Sequence, residues 1–231
     1  MSTLPPNVHV SSHPCLVAKL SQLRSKNTSA KEVKALVHEI SLILGIEALA
    51  AKITTSPGAQ DETPLGFPYQ TTTILPQTIS LVPILRSGLA MVEALQLLLP
   101  VPVPVHHLGL FREPTTLEPV EYYNNLPNHH QGGQHTTGSN STTSLAIILD
   151  PVIATGGTCA AAIQTLKEWG ARRVVVLSVV AAAEGVRKAA AEWPEGVEFW
   201  VAGVDEELTD GGMLKPGLGD VGDRLFLTIG K

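Results

Sequence analysis

Four short runs built almost wholly of apolar residues constrain this chain most. They are Ser80–Leu85 (SLVPIL), Leu145–Leu149 (LAIIL), Val174–Val180 (VVVLSVV) and Val197–Val204 (VEFWVAGV). Runs of this length without polar alternation suit strands covered on both faces. Helical patterns separate them: Leu89–Leu98, the segment TCAAAIQTLKEW after Gly157, and Glu184–Glu192. Strands alternating with helices imply right-handed crossovers and a mostly parallel sheet. The composition agrees, being 44% hydrophobic and only 16% charged, against about 25% charged in an ordinary domain. Upstream, Ser29-Ala30-Lys31-Glu32 has capping-box spacing, and Val33, Leu36, Val37, Ile40 and Leu44 then share one face, so a helix is expected over Ser29–Lys52. Thr54–Pro68, rich in Pro, Gly, Thr and acids, reads as a loop. Val103–Phe111 (VPVHHLGLF) is strand-like, with His106 and His107 as structural members, and Val120–Asn124 (VEYYN) reads as an arm strand. The expected fold is α/β, a mostly parallel twisted sheet flanked by helices, with residues 1–231 forming a single domain and no internal repeat.

The net charge of −5 argues against nucleic-acid or membrane partners. An anionic ligand must then be held locally, by backbone amides and a few chosen cations. Two cysteines, Cys15 and Cys159, provide neither a disulfide framework nor a zinc site, and Cys159 reads as core packing. No uninterrupted apolar run suits a secretory signal or spans a bilayer, so a soluble, cytoplasmic protein is expected. Asn128–Ser144 is polar and low in complexity. Despite its three histidines it reads as a mobile surface loop, since Gly, Ser, Thr and Asn cannot build a core.

The chemistry is concentrated in LAIILDPVIATGGTCAAAIQTLKEW. The strand Leu145–Leu149 ends in Asp150, and Gly156-Gly157 open a helix. Open α/β sheets bind ligands at the carboxyl ends of their strands. Glycines let the main chain turn its N–H groups inward, and a helix N-terminus adds partial positive charge. Thr155 and Thr158 add hydroxyl donors, so this loop is built to hold a phosphate. Asp150 would repel that phosphate and needs another partner, a sugar hydroxyl or a metal ion. A G-x-G-x-x-G match over Gly217–Gly222 has no room after it for a βαβ unit, so it is not a dinucleotide fingerprint.

IILDPVIATGGT resembles the ribosyl-diphosphate signature of type I phosphoribosyltransferases, and Pro151 in place of a second acid resembles the uracil phosphoribosyltransferase branch. Further blocks agree in order: HPCLVAKLSQLRSKNT, VPILRSGLAMVEAL, GLFREPTTLEPVEYYNNLP and PGLGDVGDRLF. The resemblance implies transfer of the phosphoribosyl group of 5-phosphoribosyl 1-diphosphate (PRPP) to uracil, giving uridine 5′-monophosphate (UMP) and diphosphate with Mg2+. It implies that Pro151, Val152, Ile153, Ala154, Thr155, Gly156, Gly157 and Thr158 contact PRPP, with Ala154–Thr158 around the 5′-phosphate and Asp150 at the ribose hydroxyls. Arg86 and Arg112 match the arginines that hold the diphosphate, and Asp220 the acid facing PRPP and its Mg2+. Leu214, Gly219, Asp220 and Val221 match a C-terminal hood over uracil. A homo-oligomer, dimer or tetramer, and activation by GTP are further implications of the resemblance. The chain departs from the pattern at Met213, where Tyr is common, at Lys215, and at Pro114 and Thr115, where acids are usual.

Two alternatives compete. A purine phosphoribosyltransferase is disfavoured by the hood block GMLKPGLGDVGDR. A non-catalytic ligand sensor on the same fold is free to lose Arg86, Asp150 or Asp220, and all three are present.

Overall fold

The computed structural model describes residues 3–113, 119–127 and 143–228. In chain order the elements are β1 (Val8–Val10), α1 (Pro14–Arg24), α2 (Ala30–Lys52), β2 (Thr54–Glu62), β3 (Pro68–Leu75), β4 (Ile79–Leu85) and α3 (Leu89–Leu98). Next come β5 (Leu108–Arg112), β6 (Pro119–Asn124), β7 (Leu145–Leu149), β8 (Val152–Ile153), α4 (Gly157–Trp169), β9 (Val174–Ser178) and β10 (Val180–Ala182). The last are α5 (Ala183–Ala190), β11 (Val197–Val201), β12 (Val204–Asp205), β13 (Glu207–Leu208), β14 (Leu214–Lys215) and α6 (Val221–Phe226).

A seven-stranded sheet in the order β1-β11-β9-β7-β4-β5-β6 forms the centre. Every pairing in it is parallel except the antiparallel edge pair β5–β6. Side chains alternate across a strand, and the apolar runs feed both faces. Leu81, Ile147, Leu149, Val175 and Leu177 pack into the core under α1, α2 and α3. Val82, Ile84, Ala146, Ile148, Val174 and Val176 pack into the opposite core, under α4 and α5. The continuous apolar character of these strands is thus the signature of a sheet with two covered faces.

Ser29 caps α2 as its spacing predicts: Ser29 Oγ accepts from the Glu32 N–H at 3.4 Å, and Glu32 Oε2 accepts from the Ser29 N–H at 2.8 Å. Adjacent strands β4 and β7 send their following helices to opposite faces, with Met91, Ala94 and Leu95 of α3 in one core and Ala162, Ile163 and Leu166 of α4 in the other. A crevice between the carboxyl ends of such strands is the switch point where open α/β sheets bind ligands.

Beyond the main sheet, β8, β10 and β12 pair in parallel as a second tier, in the order β12-β10-β8. The apolar run Val174–Val180 therefore serves two sheets, breaking at Val179, whose N–H reaches the Pro151 carbonyl at 3.0 Å.

Several expectations are corrected. Thr54–Pro68 is mostly the antiparallel hairpin β2–β3, with a register shift between Pro57 and Gln60. Both of its faces are largely exposed, which removes the hydrophobic alternation that marks a strand, and an unpaired edge tolerates Pro57. The strand expected over Val103–Phe111 begins only at Leu108, because Pro102 and Pro104 cannot donate to a ladder. A single bridge joins Val105 to Leu81, and His106 precedes the strand with its ring edge-on to Trp169, 5.5 Å between centroids. Of the expected loop Asn128–Ser144, residues 128–142 lie outside the described residues. Its last two residues belong to the core rim: Thr143 is buried and its Oγ1 lies 3.0 Å from Ser80 Oγ. Pro114 and Thr115 also lie outside the described residues. Among the described residues no helix is long and apolar enough to cross a membrane.

Candidate active site

Two recesses at the carboxyl edge of the sheet meet at Asp150 and Val152. The larger, about 380 Å³, is lined by Leu85, Arg86 and Ser87 after β4, Leu110 and Phe111 of β5, Tyr122 of β6, and Met213 with Gly219–Gly222 of the C-terminal loop. The smaller, about 170 Å³, is lined by Ile153, Ala154, Thr155, Gly156, Thr158 and Cys159.

The smaller recess is a turn of unusual closeness. Gly156 has φ +79°, a left-handed conformation that glycine adopts without strain. A Cβ on Gly156 would lie 2.1 Å from the Gly185 carbonyl, and a Cβ on Gly185 would lie 1.9 Å from the Ala154 carbonyl. The first turn of α5 thus presses directly on the loop and fixes its shape. The 13-residue helix α4 begins at Gly157, so its unpaired N–H groups and dipole end at this turn.

Asp150 follows β7 and is 7% exposed. Burial raises its carboxyl to about 7, against the lowering effect of the Val152 N–H that bonds to it. Cys159 behind it is buried, and burial together with Asp150 pushes its thiol up. That suits a packing residue and not a nucleophile.

Arg86 leaves the end of β4 more than half exposed. Its Nη2 lies 3.8 Å from Asp223 Oδ1, and its guanidinium carbon stands 5.8 Å from the Phe226 ring centroid. At that distance the pair with Asp223 is no hydrogen bond, so the fork remains available to a ligand. Arg112 ends β5, the next strand over. Asp220 caps α6, with Oδ1 accepting the Asp223 N–H at 3.0 Å.

The structure therefore brings together Arg86, Asp150, Val152, Gly219, Asp220 and Val221 in one recess, and Ile153–Gly156 and Thr158 in the other. Pro151, Gly157 and Leu214 line neither. The Pro151 carbonyl accepts from the N–H groups of Val179 and Val180, both at 3.0 Å, and Leu214 is buried in the core while its neighbour Met213 faces the recess. The Met213 main chain is already bonded to Thr209 through both its N–H and its carbonyl. Phe111 and Tyr122, 6.0 Å apart between ring centroids, form a wall that single-strand patterns do not announce. Among the described residues there is no cluster of three or more His, Cys, Asp or Glu able to hold a metal alone.

A glycine turn at a helix N-terminus, joined through one buried carboxyl to an arginine-bearing cleft at the switch point of an α/β sheet, has the make-up of a site for a phosphorylated sugar. The family model for uracil phosphoribosyltransferase matches residues 10–228, and the chain belongs to the uracil phosphoribosyltransferase family. Uracil phosphoribosyltransferases of Brevibacillus brevis and Bacillus cytotoxicus are each 40% identical over 224 residues, 96% of this chain and 98% of theirs. The solved structure of the AQ2163 protein from Aquifex aeolicus superposes with a TM-score of 0.82 at 32% identity, covering 96% of this chain and 98% of that one.

Proposed function

We propose that this protein makes UMP and diphosphate from uracil and PRPP, a pyrimidine-salvage reaction carried out in the cytoplasm. The observation that carries the reading is the meeting of the phosphate turn and the arginine-bearing recess at Asp150, in a family member matched over nearly its whole length. In the reaction the C1′–oxygen bond to diphosphate breaks, a bond forms between C1′ and the uracil N1, and the N1 proton is released. Such an oxocarbenium-like transfer needs positioning and stabilisation of the leaving charge more than a covalent catalyst.

The N–H groups and hydroxyls of Ala154–Thr158 hold the 5′-phosphate. Asp150 accepts the ribose hydroxyls, which stabilise its charged form in a buried setting. Arg86 turns from Asp223 to the diphosphate, where a guanidinium fork binds bidentately, and Arg112 joins it. The hood main chain around Gly219 reads the two carbonyls and N–H of uracil. Met213 and Tyr122 supply apolar contact. Mg2+ fits this donor set as an ion carried by PRPP, since it commonly binds one or two carboxylates plus substrate phosphates; Asp220 would hold it, and it would offset diphosphate charge.

The hairpin β2–β3 supports a homo-oligomer. Leu65, Phe67 and Tyr69 are exposed near its tip, and a lone two-stranded ribbon is marginal in water. A second copy of this chain covers it in this reading. Phe67→Asp should then lower the mass measured by light scattering, and an unchanged mass would refute the assignment. Activation by GTP is tested by initial rates with and without the nucleotide at sub-saturating PRPP.

The test of the activity is formation of UMP from uracil, PRPP and Mg2+. A site built on hydrogen bonds to a base can reject a mismatched analogue by ~10⁴. Uracil is expected to turn over with cytosine and purines at background, and Met213→Tyr should leave that ranking intact. Cytosine or hypoxanthine within tenfold of uracil would overturn the hood assignment.

A further inference from the structure

The hood between β14 and α6 has no ladder of its own, yet side chains from distant parts of the chain hold its main chain. Arg24, the last residue of α1, donates from Nη1 to the Gly217 carbonyl at 2.6 Å and to Asp205 Oδ2 at 3.0 Å. Its Nη2 reaches Asp205 Oδ1 at 2.6 Å. Asp205 Oδ2 in turn accepts the Gly217 N–H at 2.9 Å. One ion pair thus occupies both polar groups of the Gly217 main chain. Gly217 has φ +63°, and a Cβ there would lie 2.3 Å from the Leu214 carbonyl, so the turn admits only glycine.

Arg224 of α6 closes the other side. Its Nη1 donates to the carbonyls of Leu218 and Leu23, both at 2.7 Å, and its Nη2 to the Ser25 carbonyl at 2.9 Å. The two arginines tie Gly217 and Leu218 to the end of α1. Neither they nor Asp205 line the recess, whose lining resumes at Gly219, the next residue.

We propose that Arg24, Asp205 and Arg224 form a clamp that sets where the base-reading main chain stands over the cleft. They are positioning residues chiefly for uracil, since PRPP meets the hood only at Asp220 and is held mainly by the turn and the arginines. The inference rests on the hood reading given above. Asp205 is buried, and an ion pair in such a place contributes little net stability compared with apolar packing. Its bidentate geometry instead fixes orientation, and a misplacement of about 1 Å at a reacting centre can cost ~10²-fold. The three residues come from α1, β12 and α6, so no single sequence block shows the arrangement.

The test compares Asp205→Asn, Arg24→Lys, Arg224→Ala and Arg224→Lys in the full chain. Uracil KM and kcat are measured at saturating PRPP, PRPP affinity is measured by calorimetry without uracil, and melting temperature is recorded. Asp205→Asn, Arg24→Lys and Arg224→Ala are expected to raise uracil KM at least tenfold and to weaken PRPP by a clearly smaller factor. Arg224→Lys should recover most of the loss, because its partners are carbonyl oxygens that an ammonium can serve. Arg24→Lys cannot recover, because a lysine does not span a carboxylate and a carbonyl as a fork does. If Asp205→Asn fails to fold, Arg224→Ala carries the test, since the Ser25 end of its contact is exposed to water. Folded clamp variants with unchanged uracil KM, or with uracil and PRPP weakened alike, would overturn the clamp. Gly219→Ala, which strains the hood at the recess itself, separates the causes. If it raises uracil KM while the clamp variants do not, the hood reading stands and the clamp falls; if none of them moves it, both fall.

Discussion

Replacing Asp150 by Asn should stabilise the empty protein in alkaline buffer and disable it as an enzyme. The carboxyl is 7% exposed and burial raises it from an ordinary 3.8 to about 7. Between those values the folded state binds more protons than the unfolded chain, so stability falls as pH rises through that window. Below it both states are protonated and no penalty exists; above about 7 the folded state carries a buried charge at full cost. At ~1.4 kcal/mol per pH unit the penalty is about 2 kcal/mol at pH 5 and about 4 kcal/mol at pH 8. The second figure is an upper bound because water penetration relaxes buried charges. An Asn of nearly the same shape can still accept the Val152 N–H and has no charge to bury. For a chain of this size 1 kcal/mol moves the melting temperature by ~2–4 °C. Asp150→Asn is therefore expected to melt several degrees above the parent at pH 8, with a smaller gain at pH 5. Its kcat/KM should fall at least ~10²-fold with the loss of the ribose contact. Scanning fluorimetry at both pH values and a UMP assay at pH 8 check this. A gain equal at the two pH values, or a loss of stability at pH 8, would refute the burial argument.

Arg86→Ala should cost about 2–4 kcal/mol of transition-state stabilisation yet move the melting temperature by less than ~2 °C, because its contact with Asp223 is long and exposed; near-normal kcat/KM would end the diphosphate role. Gly185→Ala drives a Cβ into the Ala154 carbonyl, so PRPP affinity should fall about tenfold or more, and calorimetry showing parental affinity would refute the buttress. Replacing residues 129–141 with a short Gly/Ser linker should leave activity and melting nearly unchanged, since loop entropy varies slowly with length; collapse of either, or loss of a bound metal, would restore a role for those histidines.

Sequence patterns were readable where burial imposes them. Leu145–Leu149 is a strand with every residue buried, and Leu89–Leu98 is a helix with the expected bounds. The tight turn at Gly156-Gly157 was legible because a glycine pair at a strand–helix junction marks close main-chain approach. The hairpin β2–β3 was not, since exposure on both faces erases periodicity. Helix α1 and strand β1 fall in a segment without a strong pattern, and the helix buries only Leu16, Leu20 and Leu23. At the site, Asp150, Arg86 and Asp220 sit next to readable motifs. Phe111, Tyr122 and the partners of Gly217 depend on which strands and helix ends lie side by side, a relation fixed by topology.

The second tier of strands has an entropic consequence. Ile153 is paired to Ala181 in that tier and Gly157 already belongs to α4, so only Ala154, Thr155 and Gly156 separate two ordered elements. Fixing a main-chain residue costs roughly 1–2 kcal/mol, and here nearly all of that cost is met when the chain folds. On the proposed reading, a phosphate bound at this turn would meet donors already aimed and little disorder left to remove, and its affinity is expected to depend weakly on temperature-driven loosening of the loop.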